Sequence, residues 1–194
     1  MLDAFARSGA RTSVLCFTHG EASTLHGVDG DLASIRAQEL GAAAAELGVE
    51  EVRLLDYPDG GLSAVDSAVL EGEVRAVLEG LPVDGLIVFD PDGVTGHPDH
   101  QRATAVALRV GSERGIPVLA WTLPEQVADA LRDELGAPFT GHRREEIDLV
   151  VAVDRAAQRR AVDCHPSQAV PGSALWRRLQ LLEDREYLTW LVRA

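Results

Sequence analysis

Gly85-Leu86-Ile87-Val88-Phe89-Asp90 runs into Pro91-Asp92-Gly93-Val94-Thr95-Gly96 and then into His97-Pro98-Asp99-His100. Four consecutive large apolar residues, bounded by glycine and a Pro-Asp-Gly stretch, predict a strand of the buried type. The loop that follows is set by its proline and glycines. Pro98 suits the first turn of a helix, where its missing N–H costs nothing, and that helix is expected to run to about residue 113. Pro117-Val118-Leu119-Ala120-Trp121 is the next strand. Strand, loop, helix and strand in this order make a crossover unit of a parallel sheet.

The same alternation extends outward. Residues 2–8 read as a helix stopped by Gly9, and residues 12–18 as a strand rich in Val, Leu, Cys and Phe. Asp31 is placed to cap an Ala-rich helix over residues 32–47 that Gly48 closes. Residues 52–55 form a strand, Pro58-Asp59-Gly60-Gly61 a turn, and residues 65–81 a helix. A helix over 124–135 and a strand over 147–153 follow, and helical segments are expected over most of the remainder. The expected fold is α/β: a single domain over 1–194, Rossmann-like, with a mostly parallel sheet and helices on both faces. In such sheets ligands bind beyond the carboxyl ends of the strands. The polar clusters at 18–21, 56–60 and 90–100 each follow a strand.

Composition narrows the function classes. The 194 residues carry a formal net charge of -13, with no surplus of positive side chains to neutralise phosphates, which argues against a nucleic-acid partner. It also argues against docking on anionic membranes, and no run is long and apolar enough to span one. No secretory leader is visible, and Cys16 and Cys164 form no CxxC pair, so a reducing, cytoplasmic setting is expected. Cys16 reads as a small buried residue. Cys164 adjoins His165, but adjacent residues rarely face each other productively.

Among the motifs, Gly96-His97-Pro98-Asp99-His100 is the sharpest. Two histidines three apart at a helix start share one face, and imidazoles with a nearby carboxylate suit a metal site. The plainer alternative is a loop with two exposed histidines and an acidic residue favoured by the helix dipole. Thr18-His19-Gly20-Glu21 follows its strand directly, either as a site element or as a solvated turn. Arg36 and Glu39, three apart on one helix, are placed to pair with each other. Asp59 sits in a turn where Asp is common for local reasons. His165-Pro166-Ser167-Gln168 marks a helix exit. His19, His26 and His142 carry no pattern of their own.

Taken in order, these pieces resemble the PIG-L/LmbE-like family of zinc-dependent N-deacetylases. That family shows a T-x-G-E box after a strand, an R-x-x-E helix, a P-D-G turn, a G-H-P-D-H box and a late H-x-S-Q. Here they are Thr18 to Glu21, Arg36 to Glu39, Pro58 to Gly60, Gly96 to His100 and His165 to Gln168, spread over nearly the whole chain. The resemblance implies a zinc ligand at His100 and, at His97, the histidine that stabilises the charged intermediate. It implies that Asp99 is a carboxylate supporting these histidines from behind. Arg36 and Asp59 fall where family members contact substrate hydroxyls, and Glu21, by its own place after the strand, is a candidate either to orient a neighbouring loop or to meet a sugar hydroxyl. The implied reaction is removal of an N-acetyl group from an amino sugar or related glycoconjugate.

The departures from the family pattern carry their own expectations. Family members have an H-P-D-D/E box, on a strand central to the sheet, that supplies further zinc ligands and the general base, and no such box occurs in these 194 residues. The chain as given is therefore expected to lack the first central strand, to hold zinc weakly and to show little or no deacetylase activity. Addition of the N-terminal strand with its box is expected to restore both. The alternative is a short homologue without catalysis, acting as a carbohydrate-binding or structural module. Thr95 also departs from the branch acting on mycothiol precursors, which carries an aromatic residue there.

Overall fold

The structure, a computed structural model, describes residues 1–23, 28 and 30–193; His26, within the loop of residues 19–30, lies outside the described residues. In chain order the elements are α1 (Leu2–Arg7), β1 (Ser13–Cys16), α2 (Leu32–Glu46), β2 (Glu51–Leu54), α3 (Ser67–Leu78), β3 (Leu86–Phe89) and α4 (Gly93–Gly96). There follow α5 (Pro98–Arg114), β4 (Val118–Thr122), α6 (Glu125–Leu135), β5 (Leu149–Ala152), α7 (Arg155–Asp163), α8 (Ala174–Leu182) and β6 (Arg185–Val192). The α/β class expected from the alternation is the class observed. No helix among the described residues is long and apolar enough to cross a membrane. The chain divides into two compact units, one of Met1–Asp59 with Ala152–Arg185, the other of Gly60–Val151 continued from Glu186.

In the first unit β1 and β2 pair in parallel, Ser13 against Glu51 through Cys16 against Leu54. The pairing continues past the strand ends, Leu55 N–H donating to the Cys16 carbonyl and Tyr57 N–H to that of Phe17. The capping read from the sequence is present: the Asp31 carboxylate accepts from the N–H groups of Ala33 and Ser34 and starts α2. The Ala-rich character of α2 lets it pack closely on α7, with Ala43, Ala44, Ala157 and Ala161 all buried.

In the second unit the strand order is β3-β4-β6-β5. β3 and β4 are parallel, as expected, and β4 and β6 are antiparallel, so this sheet is mixed. Helix α5 lies against β3, and its Gly111 makes the approach close: a Cβ there would sit 2.6 Å from Val118 Cγ2 and 3.3 Å from Leu86 Cδ1. Val106, Val110, Val118 and Ala120 are buried where this helix meets the sheet, and Leu188, paired with Trp121, is buried on the other face. β6 corrects the expectation of a helical end. Glu186-Tyr187-Leu188-Thr189-Trp190-Leu191-Val192 is rich in aromatic and β-branched residues, which suit a strand. Glu186 and Leu188 are buried, and Glu186 accepts the Trp121 indole N–H at 2.7 Å, which holds β6 to β4. β3 corrects the expectation of a strand of the buried type: it is the outer strand of its sheet, and Ile87 and Phe89 on it are 39% and 40% exposed.

Candidate functional site

The histidines of the second unit are set by the chain reversal at the end of β3. Asp90 is 2% exposed; its carbonyl accepts the Gly93 N–H at 2.7 Å and its Oδ1 accepts the Asp92 N–H at 3.1 Å. The turn α4 departs from helical geometry at Val94, a buried non-glycine residue with φ of 65°. Such a backbone is held only where its surroundings over-determine it. His97 then caps α5, with Pro98 in the first helical turn as the sequence predicts.

The two ring orientations are opposite in chemistry. His97 Nδ1 accepts the Asp99 N–H at 3.2 Å, which puts the ring's own N–H on Nε2. His100 Nδ1 lies 3.3 Å from the Gly93 carbonyl, which can only accept, so the proton is on Nδ1 and the lone pair on Nε2. The rings lie 4.8 Å apart between centroids. His100 also stacks on Phe89, at 4.1 Å and 15° between planes, which restricts its rotation. His97 is exposed and His100 half-buried.

Asp99 is 5% exposed and serves the main chain: Oδ2 accepts the Gly60 N–H at 2.7 Å and Oδ1 the Leu62 N–H at 3.1 Å. Its contribution to His97 runs through its backbone N–H rather than its carboxylate. One pair was not visible in the sequence at all. His142 Nε2 lies 2.6 Å from Asp90 Oδ2, across 52 residues of chain. Only a polar residue at the end of an apolar strand, Asp90, could have hinted at it.

In the first unit the boxes around residues 18–21 and 58–59 meet. The Asp59 carboxylate accepts from Thr18 Oγ1 at 3.4 Å and from the Ala22 N–H at 3.0 Å. Asp59 N–H in turn donates to Glu21 Oε1 at 2.9 Å. Burial pushes the Glu21 carboxyl up, but the hydrogen bonds from the Asp59 and neighbouring main chain, with the His19 charge, bring it below its usual value. Arg36 is buried and donates to the Gly20 carbonyl. Glu39 does not take Arg36 as its partner: it accepts from Ser167 N–H at 2.8 Å and Ser167 Oγ at 2.6 Å, joining the R-x-x-E and H-x-S-Q boxes. His19 bridges the Ala33 carbonyl at 3.1 Å and Asp56 at 2.9 Å. Cys16 is half-buried, and burial pushes its thiol up. The Cys164 thiol donates to the Arg160 carbonyl, not to His165.

A catalytic zinc takes about three protein donors. Among the described residues no group of three or more His, Cys, Asp or Glu is placed to hold a metal. The described residues do not fit a complete zinc site.

The comparisons with known proteins agree with the fold. The chain is 29% identical over 189 residues to the 1D-myo-inositol 2-acetamido-2-deoxy-alpha-D-glucopyranoside deacetylase of Streptomyces avermitilis, covering 84% of this chain and 64% of that relative. The chain thus spans less than two thirds of the length of that relative. Among solved structures it is similar to N,N'-diacetylchitobiose deacetylase from Pyrococcus horikoshii, with a TM-score of 0.70 at 19% identity, covering 98% of this chain and 76% of the other. It is also similar to the zinc-inhibited form of teicoplanin deacetylase, with a TM-score of 0.68 at 18% identity, covering 97% and 90%. The family described as PIG-L, GlcNAc-PI de-N-acetylase, matches residues 1–110, more than half of the chain, and the protein belongs to that family.

Proposed function

We propose that the protein acts in the hydrolysis of an N-acetyl group on an amino sugar or related glycoconjugate, releasing acetate and a free amine. The observation that carries this reading is the pair of opposite tautomers at His97 and His100. Addition of water to an acetyl carbonyl places negative charge on the carbonyl oxygen. An N–H aimed at that oxygen stabilises it most in the transition state, and His97 Nε2–H is such a donor on an exposed ring. His100 Nε2 offers a lone pair toward a Lewis acid; zinc is the cofactor this reading assigns, with His100 as one donor. The described residues do not complete its donor set. Asp99 acts on His97 through its N–H and on the 60–62 turn through its carboxylate. Glu21, Asp59 and Arg36 build the loop to which this reading assigns the substrate hydroxyls. The names of the relatives support the substrate class: an acetamido sugar on inositol and a diacetylated chitobiose.

The incomplete donor set favours one second reading, a carbohydrate-binding module without catalysis. Acetate release from N-acetylglucosaminyl-inositol and from diacetylchitobiose, measured beside zinc content, separates the two. The hydrolase reading expects weak zinc retention and slow acetate release that rises with added zinc, both lost in His100→Ala. Sugar binding without acetate release at saturating zinc supports the module. Zinc retention unchanged in His100→Ala removes His100 as the donor.

A further inference from the structure

We propose that His142, acting through Asp90, is a positioning residue for His100. The inference rests on the reading of His100 as the functional imidazole. The Asp90 carboxylate can only accept, so the short contact to Asp90 Oδ2 places a proton on His142 Nε2, with the ring as donor. Asp90 passes that anchorage into the turn by two bonds, its Oδ1 to the Asp92 N–H and its carbonyl to the Gly93 N–H. The Gly93 carbonyl then faces His100 Nδ1. Two residues before His142, Thr140 N–H donates to the Val94 carbonyl at 2.9 Å. Segment 140–142 therefore grips both sides of the turn, at Asp90 and at Val94.

His142 is itself fixed at both backbone ends. Its N–H donates to the Leu123 carbonyl at 2.8 Å and its carbonyl accepts from the Glu125 N–H at 2.7 Å. The clamp is thus anchored to the end of β4 and the start of α6 rather than to a free loop. It also answers how Val94 keeps a left-handed backbone while buried: the turn is tied on either side of it. Without the His142 donor a carboxylate that is 2% exposed loses its side-chain partner. The uncompensated group costs free energy until the turn rearranges. Rearrangement moves the Gly93 carbonyl, and with it the constraint that selects the His100 tautomer.

The test reads the tautomer directly, by nitrogen-15 shifts of the histidine rings at alkaline pH, with no substrate or metal present. In the wild-type protein His100 is expected as the Nδ1–H form, with one protonated-type and one lone-pair-type nitrogen. His142→Ala is expected to bring the two His100 shifts toward a common average. His142→Gln, whose amide still donates to Asp90, is expected to keep them apart. A wild-type His100 in the Nε2–H form overturns the proposal without any variant. So does a folded His142→Ala protein with unchanged His100 shifts, or His142→Gln behaving like His142→Ala. If His142→Ala fails to fold, the wild-type tautomer and His142→Gln decide. A protein with the expected tautomers but no deacetylase activity would remove the proposed function and leave the clamp standing.

Discussion

Glu39 and Ser167 are 128 residues apart in the chain and joined by two hydrogen bonds, the N–H of Ser167 at 2.8 Å and its hydroxyl at 2.6 Å, both on one buried carboxylate. Gln168 Nε2 reaches the same carboxylate at 3.5 Å. Glu39 is 6% exposed and Ser167 fully buried, so water cannot replace either partner. Glu39→Ala leaves the Ser167 N–H and O–H without acceptors inside the fold. A buried donor left unpaired costs about 1–3 kcal/mol. Glu39→Ala is expected to lower stability by at least that range, read as a fall in the urea midpoint. Glu39→Gln, which keeps one acceptor oxygen, should lose less.

The ionisable groups of the first unit predict opposite responses to pH. Burial pushes the Glu39 carboxyl up, but the Ser167 and Gln168 hydrogen bonds and the His165 charge bring it below its ordinary value. Burial lowers His165, against the raising effect of Glu39. For both, the unfolded chain binds more protons, so stability is full above the unfolded values and falls as pH drops through them toward the folded ones. His19 has the reverse sign. Burial lowers it, yet the Asp56 carboxylate, the Ala33 carbonyl and the Asp56 and Glu21 charges together raise it. Its stabilisation is present below about pH 6.5 and lost as pH rises through its folded value. Urea midpoints across pH should therefore show a penalty for His19→Gln that shrinks toward alkaline pH. A constant penalty would show that His19 acts by packing alone.

Much of this was legible in the sequence where the signal is local. The strand character of the apolar run at 86–89, the Asp31 cap and Pro98 at its helix start each act within a few residues. What escaped was decided by partners far along the chain. Arg36 and Glu39 share a helix face by spacing, yet Gly20 takes one and Ser167 the other. His142 has no pattern around it, because its meaning comes from Asp90, 52 residues away. The last strand did carry a local signal, Tyr187 to Val192, but it was hidden behind the helical character of residues 174–182.

Asp99 carries the next prediction, because its two oxygens each have one backbone donor. Asp99→Asn keeps one acceptor but turns an amide N–H toward the other donor, Gly60 or Leu62. Asp99→Ala removes both acceptors. Each variant is expected to lose about 1–3 kcal/mol in urea denaturation. Neither should change the His97 tautomer, since the Asp99 N–H that fixes it belongs to the main chain. Loss of the Nε2–H form of His97 in a folded Asp99→Asn protein would show that the carboxylate acts on the ring after all.

The last prediction concerns His97 in any preparation that releases acetate. Its Nδ1 is taken by the Asp99 N–H, so the ring can serve the reaction only through Nε2–H, as a donor. A donor aimed at the developing oxyanion acts in the transition state and little in the ground state, so its loss falls on kcat more than on KM. His97→Ala is expected to lower kcat by about 10²–10³, the usual cost of one such donor. His97→Gln can place an amide N–H near the same point, and can accept the Asp99 N–H only by giving that up. Gln should therefore recover part of the rate at best. Zinc content should be unchanged in both variants, because the proposed function assigns the metal to His100 and not to His97. A His97→Ala enzyme with unchanged kcat and raised KM would make His97 a substrate-binding residue. Equal loss of rate and zinc would place His97 among the metal donors and overturn the division of labour drawn from the two tautomers.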